Sequence, residues 1–467
     1  MGDFLPNTQA LWYAIAVVDV LAIGTALLRL HGVNSTLAWI FFILAFPGVG
    51  ALIYFTFAAP YIRRTPVRAR RRRHPLGPAD TSPRPEAVAV LPVVERLTRL
   101  PRTHGNRVEL LARDPAAYMA IERALSAAKT SIWAEYFIIQ NDETGLRFMD
   151  TLIERAQAGV EVRLLFDAVG TWWFDRKRLK ALREAGARVE AFLPVNPFRR
   201  RWSAHLRNHR KLVVIDGEIG FTGGMNVGDE YSGRAFLRGG RHFTDTHLTV
   251  RGPAVSDLAQ IFADDWSFAT DERLQAVEVE PLADGTSTVA IVPSGPDQVH
   301  NASAMAFFTG VATARSRAWL TSPYFIPDAP LLRALSGAAL GGCDVRVLVP
   351  ATSDQRLVRA AARSFYRELL RCGVRIFEYQ PTMLHAKTMV VDSAWCMVGS
   401  ANIDIRSFKL NFELGALIAD ATFAAQLEAL YLHELTQSVE IDAEAWRTAT
   451  LPRRLMQGAA RLFAPLL

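Results

Sequence analysis

His209-Arg210-Lys211-Leu212-Val213-Val214-Ile215-Asp216 and His385-Ala386-Lys387-Thr388-Met389-Val390-Val391-Asp392 carry one pattern, H-x-K-x4-D, at one internal spacing. Each runs on to an asparagine, Asn226 in Phe221-Thr222-Gly223-Gly224-Met225-Asn226 and Asn402 in Met397-Val398-Gly399-Ser400-Ala401-Asn402, and the interval from histidine to asparagine is the same in both copies. A single copy reads most simply as a strand end with a solvated lysine. Two copies in register are a repeat. The runs Leu212 to Ile215 and Thr388 to Val391 are rich in β-branched residues, which predicts buried strands. Side chains at i and i+2 share a strand face, so His209 with Lys211, and His385 with Lys387, point at one target; Asp216 and Asp392 face the other way and are expected to be structural.

A duplicated histidine-lysine pair, with asparagines downstream and no acidic cluster to hold a metal, suits phosphoryl chemistry carried by side chains alone. Lysines neutralise non-bridging phosphate oxygens and the amides of Asn226 and Asn402 donate to the same atoms. One imidazole attacks phosphorus while the other protonates the leaving alcohol. No cofactor and no metal are expected.

These residues resemble the phospholipase D superfamily, whose H-x-K-x4-D motif occurs twice per active site. Asn208 to Lys211, Gly228-Asp229-Glu230-Tyr231, Leu384 to Lys387, Gly399 to Phe408 and Asn411-Phe412-Glu413 are similar to its bacterial cardiolipin synthase branch, and the resemblance covers nearly the whole length. It implies a phosphatidyl transfer between two phosphatidylglycerols, giving cardiolipin and glycerol through a phosphatidyl-histidine. His209 is then the nucleophile and His385 the acid, with Lys211, Lys387, Asn226 and Asn402 holding the phosphoryl oxygens. It also implies one carboxylate per half oriented on the histidine of the other half, which points to Glu413 for His209 and Asp245 for His385. In Phe243-Thr244-Asp245-Thr246-His247, threonine stands where these synthases commonly have arginine before the Asp. The alternatives are a hydrolytic phospholipase D releasing phosphatidic acid and transfer to a different alcohol acceptor.

Weaker duplications keep the same order. Glu135-Tyr136-Phe137-Ile138 recurs as Pro323-Tyr324-Phe325-Ile326, Glu161 to Leu165 as Asp344 to Leu348, and Gly186 to Val189 as Gly373 to Ile376. The expectation is an α/β fold of two tandem repeats forming one shared active site at their seam, preceded by a transmembrane helical hairpin. The expected division is 1–61 for two transmembrane helices, 62–87 for a basic juxtamembrane segment and Pro-rich linker, 88–280 and 281–440 for the two repeats, and 441–467 for a tail able to lie at a membrane interface.

The chain has 467 residues, half of them apolar, enough for a large core. Its three cysteines, Cys343, Cys372 and Cys396, have no zinc-type spacing and argue against a disulfide framework. Two apolar stretches, about Ala10 to Leu28 and about Leu37 to Phe57, approach the roughly 20 residues needed to cross a bilayer. A signal peptide is disfavoured for the first, because Met1 to Gln9 has no Lys or Arg. Asp19 interrupts that stretch at a cost of about 2.5–3.5 kcal/mol for a central position, so it should face a neighbouring helix or a polar defect.

Ile62 to Arg73 carries seven arginines and no acid, matching the whole formal net charge of +7. Basic charge gathered beside a span, rather than spread over a reading surface, argues for anionic membrane lipids as partners and against nucleic acid. By the positive-inside rule it places the catalytic body on the cytoplasmic face of a bacterial inner membrane, in a multi-pass protein. A second basic-aromatic segment, Phe198-Arg199-Arg200-Arg201-Trp202 with Arg207 and Arg210 behind it, is expected to form a lipid-facing rim.

Overall fold

The computed structural model describes residues 8–28, 33–58, 88–112, 114–196, 198, 201–203, 205–234, 242–447 and 451–462. The arginine run and the proline-rich linker at 62–87, Arg199 and Arg200, and the last residues of the chain lie outside them. The chain forms a helical unit, residues 1–63 together with 195–205, and a large α/β unit, residues 64–194 and 206–467.

In the helical unit, Thr8–Leu28 is one continuous helix, and Gln9–Leu28 is long and apolar enough to cross a membrane. It is the one such helix among the described residues. The second apolar stretch is not one unbroken helix but a helix Val33–Ala45, a turn, a short helix Val49–Ile53 and a π-helical turn Tyr54–Ala58. Pro47 explains the break, since proline pushes the residue before it away from helical backbone and offers no N–H of its own. Gly48 completes the turn at φ 75°, a conformation suited to glycine. Asp19 faces this break, its carboxylate oxygens accepting the Gly48 N–H at 3.0 and 3.2 Å. An apolar helix thus carries an acid where the next segment has a backbone donor without an intrahelical acceptor.

The α/β unit is built on one continuous sheet. In each half three parallel strands lie side by side, Ser131–Tyr136, Glu161–Asp167 and Arg188–Phe192 in the first and Arg317–Thr321, Asp344–Pro350 and Arg375–Tyr379 in the second. The motif strands Leu212–Ile215 and Thr388–Val391 then pair antiparallel with the first member of each set. Strands Ile219–Gly223 and Thr246–Arg251 continue the first half, and Trp395–Gly399 and Asn411–Ala419 the second, in the same order. Thr103–Ala112 and Ser287–Ser294 join the halves by antiparallel pairing.

Motif strands buried along their whole length, as both are, need cover on both faces and so read as unbroken apolar runs. Helices supply that cover by period. Glu143–Gln157, capped by Asp142 accepting the Gly145 N–H, buries Phe148, Met149 and Leu152, and Arg356–Arg371 buries Ala361, Ala362, Phe365, Tyr366 and Leu369. Each half has its own core, and helix Val90–Thr98, although first in the chain here, contributes Val90, Leu91 and Val94 to the core of the second. The C-terminal helix Leu451–Leu462 packs on Arg356–Arg371 through buried Ala460 and through Arg461, which lies 3.6 Å from Glu368 and over the ring of Phe365, while Leu455 and Met456 stay exposed.

Candidate active site

Two short parallel pairings exchange chain between the halves. Arg207–Asn208, just before the first motif, pairs with Asn411–Phe412 of the second half, and Met383–Leu384, just before the second motif, pairs with Phe243–Thr244 of the first. The ladders end in matching bonds, the His209 N–H to the Phe412 carbonyl at 2.8 Å and the His385 N–H to the Thr244 carbonyl at 2.7 Å. The next residue on each partner strand is an acid. Nδ1 of His209 therefore meets Oε2 of Glu413 at 2.9 Å, and Nδ1 of His385 meets Oδ2 of Asp245 at 2.6 Å.

The acids are themselves held. Glu413 accepts from the Ser400 hydroxyl at 2.5 Å and the Asn411 amide at 3.2 Å, and Asp245 from the Thr246 N–H at 2.7 Å. Gly224 lies flat against Asp245, where an added Cβ would stand 2.0 Å from Oδ1, so only glycine fits. Phe137 sits edge-on to His209 with ring centres 4.8 Å apart, Phe243 stacks on His385 at 5.4 Å, and Tyr231 meets His385 edge-on at 5.6 Å. With Nδ1 engaged, Nε2 is the nitrogen of His209 left for chemistry, whereas Nε2 of His385 also has Lys387 Nζ at 3.2 Å.

Lys211 and Lys387 return to their histidines, Lys211 Nζ donating to the His209 carbonyl at 2.7 Å and Lys387 Nζ lying 2.6 Å from His385 Nδ1. Burial pushes both ammonium groups down, Lys211 to about 7 and Lys387 to about 8, against the pull of Glu413 and Asp245. The imidazoles are also held down. For His209 burial outweighs Glu413, and for His385 burial together with Lys387 outweighs Asp245 and brings it to about 4. Influence crosses the seam: Lys387 disfavours charge on His209, and Lys211 on His385. Burial would raise the two carboxyls, yet the lysine and histidine beside each keep Asp245 and Glu413 below the usual carboxylate range.

Asn226 lies in the same shell with one amide N–H already given to the Tyr231 hydroxyl at 2.9 Å and its Oδ1 accepting from Ile138, which leaves one N–H for a ligand. Asn402 is buried, its Oδ1 without a hydrogen-bond partner among the described residues. Asp216 and Asp392 stand apart. Asp216 sits in a left-handed turn and collects the backbone N–H groups of Lys129, Thr130 and Ser131, and Asp392 does the same with Arg315, Ser316 and Arg317.

Arg207 and Arg210 correct an expectation. Both are buried rather than facing lipid, Arg207 3.6 Å from Asp167 and Arg210 in a fully buried ion pair with Asp265. Arg210 also donates to the carbonyls of Glu413 at 3.1 Å and Ser294 at 3.4 Å, tying the motif to the strand that carries the acid. Sequence reasoning missed this pairing because Asp265 lies in a helix, Ala254–Thr270, with nothing nearby in the chain to mark it. Phe198 is 95% exposed and Trp202 is exposed as well, and Arg201 is half-buried in a left-handed turn.

Two repeats on one sheet, each lending the other an acid for its histidine, define a two-motif phospholipase D-like enzyme. The family model "Cardiolipin synthase, PLD-like domain" matches residues 121–266 and 309–434. Cardiolipin synthase A of Pseudomonas aeruginosa (strain LESB58) is 37% identical, the match covering 100% of this chain and 96% of the relative. A cardiolipin synthase of Geobacillus sp. (strain WCH70) is 36% identical over 92% of this chain and 89% of its own. The crystal structure of phosphatidylserine synthase from Haemophilus influenzae Rd KW20 shares the fold with a TM-score of 0.62 at 14% identity, over 81% of this chain and 100% of that one. The chain belongs to the cardiolipin synthase family of phospholipase D-like proteins.

Proposed function

We propose that the protein is a cardiolipin synthase, a phosphatidyltransferase that makes cardiolipin and glycerol from two phosphatidylglycerols. The observation that carries this is the reciprocal pairing of His209 with Glu413 and of His385 with Asp245 inside one shell of two lysines. Nε2 of His209 attacks the phosphorus of the first lipid while His385 gives its proton to the departing glycerol oxygen, leaving a phosphatidyl-histidine. His385, now neutral, takes the proton from a glycerol hydroxyl of the second lipid, whose oxygen displaces His209 and restores the enzyme. Lys211, Lys387, Asn226 and Asn402 hold the non-bridging oxygens.

In the free enzyme burial keeps His385 neutral. The anionic phosphodiester supplies the missing negative charge, so substrate and proton enter together. Glu413 and Asp245 fix the tautomer of each ring and stabilise its charged form as it appears. The names of the relatives support transfer and give none to hydrolysis.

The protein is membrane-associated through its N-terminal apolar helix. It lies in a bacterial inner membrane with the catalytic body in the cytoplasm, a reading supported by the arginines of 62–73, which favour the side rich in anionic lipid. Phe198 and Trp202, exposed aromatics among arginines, form part of a rim that meets lipid.

The test is incubation of purified protein with labelled phosphatidylglycerol in micelles and no added nucleotide, followed by separation of the lipids. Labelled cardiolipin with released glycerol is expected. Phosphatidic acid as the sole product would make the protein a hydrolase.

A further inference from the structure

Ala168-Val169-Gly170-Thr171-Trp172-Trp173-Phe174 follows the parallel strand Glu161–Asp167 and ends where helix Arg176–Glu184 begins. Trp173 is 87% exposed, Trp172 50% and Val169 41%. Three large apolar side chains in one short loop form a concentrated patch, and it is not a loose one. Thr171 N–H donates to the Asp167 carbonyl at 3.1 Å, Trp172 N–H to Val169 at 3.1 Å and Phe174 N–H to Thr171 at 3.2 Å. Buried Thr171 and Phe174 anchor the loop on either side of the indoles. Gly170 presses on the Phe137 carbonyl, where a Cβ would stand 2.1 Å from the oxygen. The indoles are thus held outward by a built turn.

The same turn is braced on the residues that hold the first histidine. Asp167 accepts the N–H groups of Val169 and Gly170 with one oxygen and the Asn208 N–H, next to His209, with the other at 2.9 Å. Phe137, whose carbonyl receives the Thr171 hydroxyl, is the ring against His209. Two residues beyond the indole loop come exposed Arg176 and Lys177, while Asp175 turns its carboxylate to the Lys177 N–H at 2.8 Å as the helix cap; further along the helix Lys180 pairs with Glu184 at 3.4 Å and Arg183 donates to the Val189 carbonyl at 2.9 Å. Indoles beside cations match an anionic lipid surface, with aromatic rings at the headgroup level and cations on phosphates. The corresponding loop of the second half, Ala351-Thr352-Ser353-Asp354, has no aromatic residue.

We propose that the Trp172-Trp173 loop is an interfacial anchor that docks the α/β unit on an anionic bilayer beside His209, so that the donor lipid reaches that histidine without leaving the surface. This rests on the reading of the substrate as a bilayer lipid.

The full-length protein is reconstituted in phosphatidylglycerol vesicles containing phosphatidylcholine with brominated acyl chains. Tryptophan quenching is compared between the native protein and Trp173→Phe, the difference reporting on Trp173 alone. Bromine should quench that difference, and the Trp172→Ser/Trp173→Ser variant should raise the apparent KM for vesicle phosphatidylglycerol about tenfold, the scale expected from losing buried aromatic surface, with kcat little changed. On monomeric dihexanoyl-phosphatidylglycerol the two proteins should be equal. A difference signal untouched by bromine and quenched by aqueous iodide overturns the proposal, as does an equal loss on both substrates. A smaller particle for the variant in size-exclusion chromatography, with no bromine effect, assigns the loop to contacts between copies instead. If the native protein turns over neither lipid, the functional reading fails, and the quenching still decides the docking.

Discussion

His209 and Glu413 are 204 residues apart in the chain and 2.9 Å apart in the folded protein. The backbone bond from His209 N–H to the Phe412 carbonyl fixes the approach, so the acid meets Nδ1 by register rather than by side-chain reach. Asp245 and His385 repeat the arrangement across 140 residues. Each half is therefore incomplete without the other.

Replacing Glu413 by Gln keeps the shape but lets the amide hold the wrong imidazole tautomer. We expect kcat to fall by about 10²–10⁴-fold, as when a buried acid behind a catalytic histidine is neutralised, with phosphatidylglycerol binding little changed. Asp245→Asn should behave likewise. Steady-state kinetics in mixed micelles, with circular dichroism to verify folding, check both, and a change confined to KM would contradict the assigned role.

The lysine shifts predict the alkaline limb. Lys211 and Lys387 are charged below about 7 and about 8 and lose their protons as pH rises through those values, taking with them the charge that holds the phosphoryl oxygens. Free-enzyme kcat/KM should therefore fall with rising pH from about 4, where free His385 sheds the proton it must give, and more steeply above neutrality, where the lysines follow. Neutral His209, the nucleophile, survives below the usual histidine range because its own value is lowered, so the acid limb should lie below about 6.5. Lys211→Arg, which cannot deprotonate, should move the alkaline limb upward while lowering the maximum.

Asp216 gathers three backbone N–H groups and the Thr130 hydroxyl, away from the histidines. Asp216→Ala should cost about 1.5–3 kcal/mol of stability, the range for hydrogen bonds to a charged group, and leave the kcat of the folded fraction nearly intact. Denaturant titration beside activity separates the two.

Arg210→Met strands the Asp265 carboxylate in the core and frees the Glu413 carbonyl. Breaking such a buried pair costs about 3–5 kcal/mol, so low soluble yield and a depressed Tm are expected. Arg210→Met/Asp265→Leu should recover part of the Tm, since the Asp265 charge is gone while the buried Glu135 beside the pair, its carboxyl pushed up by burial, keeps its bond from the Asn208 amide. Equal Tm values for the two variants would rule out the ion pair as the cause.

Activity in a metal-independent lipid presentation should withstand EDTA, since lysines and histidines carry the charge that the reaction needs. Complete loss, restored by zinc or magnesium, would replace the side-chain mechanism.

The sequence by itself determined the repeat, the α/β character and the identity of the motif residues, because spacing along a strand is a local property and duplication makes it visible. The motif strands needed only β-branched runs to be legible. It left Arg210 looking like part of a basic surface, because charge in a sequence carries no information on burial; only the fold brings Asp265 beside it. It read the second apolar stretch as one helix, because hydropathy averages over Pro47 and Gly48, whereas backbone geometry breaks the helix there and turns its free N–H to Asp19. The resemblance, not the spacing, singled out Glu413 and Asp245. Their distances to the histidines depend on the register of two-residue strands between distant segments, and that register is decided only when both halves close on one sheet.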